Sequence, residues 1–213
     1  MTKLSFTQEF VACAINEKGK VPMAKKTEII VGLLIGGILE LTNSGYVELD
    51  VKNKYSCIKT LGDEKKYLQP LYDLISTKPM KIIDIANKYM MSDKPLAKLL
   101  NAIGESLYEV ECAEKTTKKT LFGEKIYFVP TEDCVNIIVD KIRYEVLKEE
   151  NVSEDMVILS SMLDNSRIIN NYFSKFESEK LKRYSKEIKS SDVHKKINKL
   201  INELTCVIFI TTN

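Results

Sequence analysis

The chain has 213 residues, with 32 lysines and arginines against 30 acidic residues, a formal net charge of +2, 44% hydrophobic and 29% charged residues. This is the composition of an ordinary soluble globular protein of one domain or at most two, and the net charge is too small to name a partner. No apolar run approaches the roughly 20 residues a membrane span needs.

Basic charge is almost all lysine, with only Arg143, Arg167 and Arg183, so the bidentate fork that arginine offers to phosphate or guanine is scarce. Five scattered cysteines, Cys13, Cys57, Cys112, Cys134 and Cys206, never form a CxxC. They read as reduced thiols in a cytoplasmic protein. The amino-terminal residues lead at once into a helix and lack the pattern of a signal or transit peptide.

In chain order, Phe6 to Ile15 carries a helical stripe, with Ser5 or Thr7 as its cap. Glu17 to Lys20 is a polar turn with Gly19 at its tip, and Pro22 keeps the following residues extended. Thr27 and Glu28 begin the most apolar stretch, Ile29 to Leu41 (IIVGLLIGGILEL). As a helix rising about 1.5 Å per residue, its uncharged run, Ile29 to Leu39, spans about half of a bilayer's hydrocarbon core, too short for a membrane pair of the GxxxG kind. It is therefore expected to be a buried central helix. Gly32, Gly36 and Gly37 each cost a helix interior about 1 kcal/mol relative to Ala, and compensation is expected from the close approach of a neighbouring backbone. Asn43-Ser44-Gly45 ends the helix.

Tyr46 to Val51 and Tyr55 to Leu61 read as two strands joined by a turn at Lys52 to Lys54. Tyr67 to Ile75 is helical, with Pro70 in its first turn. Lys81 to Met91 and Pro95 to Ser106 are amphipathic helices. Leu107 to Ala113 and Thr120 to Val129 are strand-like, joined by a polar turn at Glu114 to Lys119. After Pro130 the pattern is helical: Thr131 to Leu147, Met156 to Leu163, Ile168 to Phe173, Glu177 to Lys189, and a last helix from Ser191 whose end, Leu204 to Ile210, is apolar on all sides and expected to be buried. With no internal repeat, low-complexity tract or long linker, residues 1–213 are expected to form a single domain.

Catalytic signals are few, and the chain is expected not to be an enzyme. The lone histidine, His194, has no metal-ligand spacing around it. GxSxG, GxxxxGK[ST] and GxGxxG are all absent. Glu40, ending the apolar helix, is expected to be an ion-paired or hydrogen-bonded anchor rather than an acid or base. No metal or cofactor is expected. Binding has more support. Lys18, Lys20, Lys25 and Lys26 flank the loop before the central helix, and Lys175 to Lys199 holds nine basic residues against four acidic ones. Either cluster could meet anionic headgroups at about 1 kcal/mol per lysine. The helix-helix-hairpin outline of residues 81–129 also suits a winged-helix module, with Lys98 and Asn101 on its second helix and Lys115, Lys118 and Lys119 as the wing.

Four segments together resemble the Golgi phosphoprotein 3 family. They are FTQEFVACAINEKGKV (Phe6 to Val21), GLLIGGILELTNSGYVELD (Gly32 to Asp50), PLAKLL (Pro95 to Leu100) with LFGEKIYFVP (Leu121 to Pro130), and the late helices ILSSMLDNSRIINNYFS and LKRYSKEI. The resemblance implies a mainly α fold: a helical bundle around a central apolar helix, with a β-hairpin extension and a short strand pair. It also implies a non-enzymatic adaptor, peripheral at the cytoplasmic face of a membrane, that binds phosphatidylinositol 4-phosphate and membrane-bound protein clients and oligomerises through its hairpin. The family's headgroup positions fall near Lys25, at Leu34, and near Met90 and Asp93, and the chain has no tryptophan. This lysine-rich pattern is similar to the bacterial members. The expectation carried forward is general anionic-lipid binding through Lys25, Lys26, Lys94 and Lys98, and homo-oligomerisation through Leu121, Phe122 and Tyr127. Nucleic-acid binding and a purely protein-protein role are the alternatives.

Overall fold

The computed structural model describes residues 3–120, 123–147, 152–187 and 192–211. It is mainly helical, with two small antiparallel strand pairs. Helix α2 (Lys26–Asn43) occupies the middle, and every residue from Ile29 to Leu41 is buried. Helix α1 (Phe6–Ala14), α4 (Ile82–Met91), α7 (Glu154–Asn165) and α9 (Asp192–Thr211) pack around it. Full burial of each leucine or isoleucine side chain stabilises the fold by about 1.5–3 kcal/mol. No helix among the described residues is long and apolar enough to cross a membrane.

The three glycines of α2 are covered by side chains, not by a neighbouring backbone as expected. A Cβ on Gly32 would lie 2.5 Å from Phe10 Cζ, one on Gly36 2.5 Å from Met162 Cε, and one on Gly37 2.6 Å from Leu71 Cδ2. Three large side chains from α1, α7 and α3 (Gln69–Ser76) thus press into grooves that only glycine leaves open. The missing Cβ atoms serve side-chain interdigitation around one helix.

Capping follows the residues. Ser5 caps α1 in a reciprocal box with Gln8, its hydroxyl accepting from the Gln8 N–H at 3.3 Å. Thr7 lies inside that helix. At the end of α2, Ser44 is the cap and Gly45 takes φ +65°, as the Asn-Ser-Gly signal implied. Pro70 stands in the first turn of α3.

The strands differ more. β1 (Val47–Leu49) and β2 (Tyr55–Cys57) pair in the register Val47–Cys57, shorter than the alternation suggested. Helix α5 runs from Asp93 to Glu109, absorbing Leu107 and Tyr108, because Leu96, Leu99, Ile103 and Leu107 form one buried stripe at helical spacing. Strand β3 (Ala113–Thr120) includes the residues expected as the polar turn, and it pairs with β4 (Gly123–Pro130) from Ala113–Pro130 to Thr120–Gly123. The hairpin tip, Leu121 and Phe122, lies outside the described residues.

Downstream, α6 (Glu132–Ile142) is capped by Thr131 and passes into a π-helical turn at Arg143–Leu147. α7, a 3-10 turn at Ile169–Asn171, α8 (Lys175–Glu187) and α9 complete the bundle. Leu204 is buried, as expected for the start of the apolar end, whereas the side chains from Thr205 onward lie outside the described set. So does that of His194.

Candidate functional site: a basic face at the α4–α5 junction

Pro22 sets the entry to α2. Its extended conformation (φ −58°, ψ 124°) leads into a single 3-10 turn, Met23–Lys25, in place of the extended run its ring suggested. That turn leaves the Met23 side chain 79% exposed. It also separates two adjacent lysines. Lys25 turns toward the far side of the bundle, where its Nζ donates to the Arg167 carbonyl at 3.0 Å and to Asn171 Oδ1 at 3.1 Å. Arg167 holds φ +56° there. Lys26 points the other way and pairs with Asp93 at the start of α5.

The α4–α5 junction is one residue long. Ser92 is extended (φ −146°, ψ 134°), and its hydroxyl accepts from the Lys94 N–H at 3.3 Å. Met91, ending α4, is 86% exposed. The hydrogen bond from Lys26, and then its charge, hold the Asp93 carboxyl below the ordinary aspartate range, and Lys125 of β4 acts in the same direction. The hairpin therefore lies within electrostatic reach of this junction.

On the hairpin, Lys118 and Lys125 stand directly opposite in the β3–β4 register, a like-charge pair that disfavours the hairpin by itself. Both ammonium groups lie 5.5 Å from the centre of the Tyr127 ring, and Lys20 joins them at 5.3 Å. The ring's negative face stabilises three cations that otherwise repel. Lys20 arrives because Gly19 lies on β4: a Cβ at this residue (φ +69°) would meet Tyr127 Cβ at 2.7 Å. Asn16 closes that loop, its side-chain oxygen accepting from the Lys18 and Lys20 N–H groups at 3.0 and 3.1 Å. Further along the hairpin Lys115 pairs with Glu105 at 3.3 Å, and Glu124 stands opposite Lys119 in the register, so the positive charge concentrates around Tyr127.

Beside the junction, α3, α4 and α5 enclose a cleft of about 420 Å³ lined by Leu74, Tyr89, Ser92, Lys94, Lys98 and others. Lys94 and Lys98 have no ion-pair partner among the described residues. Tyr89 is 1% exposed, and its hydroxyl has no hydrogen-bond partner there. Burial pushes its pKa up, so it stays a neutral donor. The Tyr89 hydroxyl is sealed from the cleft, so the donors an anion could reach are the ammonium groups of Lys94 and Lys98, tempered by Asp73 on the opposite wall, which accepts from Gln69 at 2.6 Å.

Of the four lysines singled out in the sequence, Lys26 pairs with Asp93 at the junction, Lys94 and Lys98 line the cleft beside it, and Lys25 bonds the Arg167 carbonyl and Asn171 instead. Tyr127 is half-buried beneath the lysine cluster, and Leu121 and Phe122 lie outside the described residues. Sequence reasoning missed the gathering of Lys20, Lys118 and Lys125 on Tyr127. The opposition of Lys118 and Lys125 would have signalled it had the strand boundaries been placed correctly.

Glu40 is a separate matter. It is 2% exposed, and one carboxylate oxygen accepts from the Thr7 N–H at 3.0 Å. The other accepts from Lys65 Nζ at 2.9 Å and from the Tyr67 hydroxyl. Burial, followed by the Glu40 charge, raises the Tyr67 pKa well above the ordinary tyrosine range. The carboxylate's partners all belong to the fold, which makes it the anchor of α1 and the Lys65–Tyr67 segment on α2. Among the described residues no group of three or more histidines, cysteines or carboxylates is placed to hold a metal ion.

No protein-family model matches the chain, and no curated protein matches it.

Proposed function

We propose that this chain associates peripherally with anionic membrane surfaces through the face built by the α4–α5 junction, the turn before α2 and the β3–β4 hairpin. The observation that carries this reading is the convergence of Lys20, Lys118 and Lys125 on Tyr127 beside the Lys26–Asp93 pair, with Met23 and Met91 exposed within three residues of that pair. Exposed lysines meet headgroups at about 1 kcal/mol each, and exposed methionines enter the interface between them. The cleft beside Lys94 and Lys98 supplies two ammonium donors for one headgroup. The resemblance to the Golgi phosphoprotein 3 family supports the same class of function. Leu34 at the family's arginine position and the lack of tryptophan favour anionic lipid in general over a single phosphoinositide.

Flotation with phosphatidylglycerol vesicles at low salt tests this. The wild-type chain should float, binding should weaken steeply with added salt, and Lys118→Glu/Lys125→Glu and Lys94→Glu/Lys98→Glu should each reduce it. No flotation of the wild type, or equal flotation by all three, would count against the proposal.

Nucleic-acid binding is the second reading, favoured by the lysines around Tyr127, since basic strands with an aromatic ring also suit phosphates and bases. The helix such a module would insert, α5, packs against α1, α3, α4 and the hairpin, and its Lys98 lines the cleft. A gel shift at low salt with mixed-sequence DNA and RNA separates the two readings.

A further inference from the structure

At the other end of α2, about 24 Å along the helix from Lys26, a second cavity of about 390 Å³ opens between α2, the β1–β2 pair and α9. Its floor is apolar: Ile38, Leu39, Val47, Tyr55 and Leu200 are each at most 5% exposed. Two further lining residues, Leu49 and Ile58, are 39% and 53% exposed, leaving an apolar wall against water. This volume falls in the range of small-molecule pockets, where apolar walls supply affinity and a few polar groups at the edge supply orientation.

The edge has a sign. Lys196 and Lys199 of α9 both line it, against the single carboxylate of Glu48. The Lys199 ammonium is held at 2.8 Å by Asn53 Oδ1, from a β1–β2 turn in which Asn53 takes φ +56°. Lys196 is exposed and has no hydrogen-bond or ion-pair partner among the described residues. Thr42 contributes no polar group inward, because its hydroxyl donates to the carbonyls of its own helix. An apolar slot with two lysines at its mouth complements a molecule with a chain at one end and a negative charge at the other.

We infer that this pocket binds a free single-chain anionic amphiphile, a long-chain carboxylate, with its alkyl chain against Ile38, Leu39 and Leu200 and its carboxylate at Lys196 and Lys199. The inference stands apart from the membrane-facing surface, which lies at the opposite end of α2 and uses none of these residues. Chain burial gives the affinity, and the charge-assisted contacts select carboxylates over alcohols of equal length.

Calorimetric titration of the full chain with laurate, below its micelle-forming concentration and without vesicles, tests it. One laurate per chain should bind, dodecanol should bind about tenfold more weakly, and Lys196→Glu/Lys199→Glu should lose about tenfold or more. The milder Lys196→Gln should show a smaller loss in the same direction, with circular dichroism reporting that each variant is folded. Lys94→Glu/Lys98→Glu, at the distant cleft, should leave laurate binding unchanged while reducing vesicle binding. Absence of laurate binding, equal affinity for dodecanol, or loss only in the Lys94→Glu/Lys98→Glu variant would overturn the inference.

Discussion

Lys26 and Asp93 form an ion pair that joins the first residue of α2 to the first residue of α5. The partners are unequal, with the Lys26 side chain 25% exposed and that of Asp93 84% exposed. Asp93 is therefore the part of the pair that water, or a headgroup, can replace.

Asp93→Asn frees Lys26 and removes a negative charge from the middle of the basic face. Affinity for phosphatidylglycerol vesicles is expected to rise about fivefold, the equivalent of one added lysine contact near the surface. Vesicle titration at low salt checks this, and unchanged affinity would place Lys26 outside the membrane contact.

Glu40 answers a different question, that of stability. Glu40→Ala removes a carboxylate with three donors and leaves the Thr7 N–H and the Tyr67 hydroxyl without it in a closed space. Breaking a buried pair of this kind destabilises by about 3–5 kcal/mol. Urea unfolding should show that loss, whereas a change under about 1 kcal/mol would mean that the anchor is dispensable.

Gly32→Ala sets helix propensity against packing. Alanine is favoured by about 1 kcal/mol in a helix interior, but its Cβ meets the Phe10 ring at 2.5 Å, and a buried ring has little room to retreat. Overpacking costs of about 1–3 kcal/mol should win, giving a net loss of stability in urea titrations.

Glu9 gives the fold a pH signature. Burial raises its pKa above the ordinary glutamate value of 4.5, with the 2.8 Å contact to Lys141 opposing the rise. Folded Glu9 thus binds its proton at higher pH than unfolded Glu9 does, so through that window the folded state holds more protons and stability falls as pH rises. Relative to Glu9→Gln, the wild-type protein should gain stability as pH drops from 7 toward 4.5 and hold the gain below that. Unfolding midpoints of the two proteins across this range provide the measurement, and a relative loss by the wild type on acidification would contradict the assignment.

The part of the fold legible in sequence is the part written in apolar periodicity and end signals. Ile29 to Leu41 announced a buried helix and Asn43-Ser44-Gly45 its end, while for α1 the sequence left Ser5 and Thr7 both open as the cap. The hairpin was misplaced because β3 is mostly exposed and so polar on both faces, leaving no alternation to read, while Leu107 continued the buried stripe of α5. The candidate face was half legible. The family resemblance pointed to Lys25, Lys26, Lys94 and Lys98 together, but one 3-10 turn sends Lys25 to Arg167 instead. The cluster on Tyr127 depends on Gly19 letting a loop more than 100 residues away in sequence lie on β4, a contact with no local signal.

The measurement that bears most directly on membrane association uses the absence of tryptophan from the chain. Met23→Trp places a lone indole on the proposed contact face, where the native side chain is 79% exposed. Val51→Trp places one in the β1–β2 turn near the other end of α2, where the native side chain is fully exposed. Addition of phosphatidylglycerol vesicles should shift the emission of Met23→Trp to shorter wavelength and leave that of Val51→Trp unchanged. No shift at either position, or a shift at Val51→Trp alone, would contradict the account.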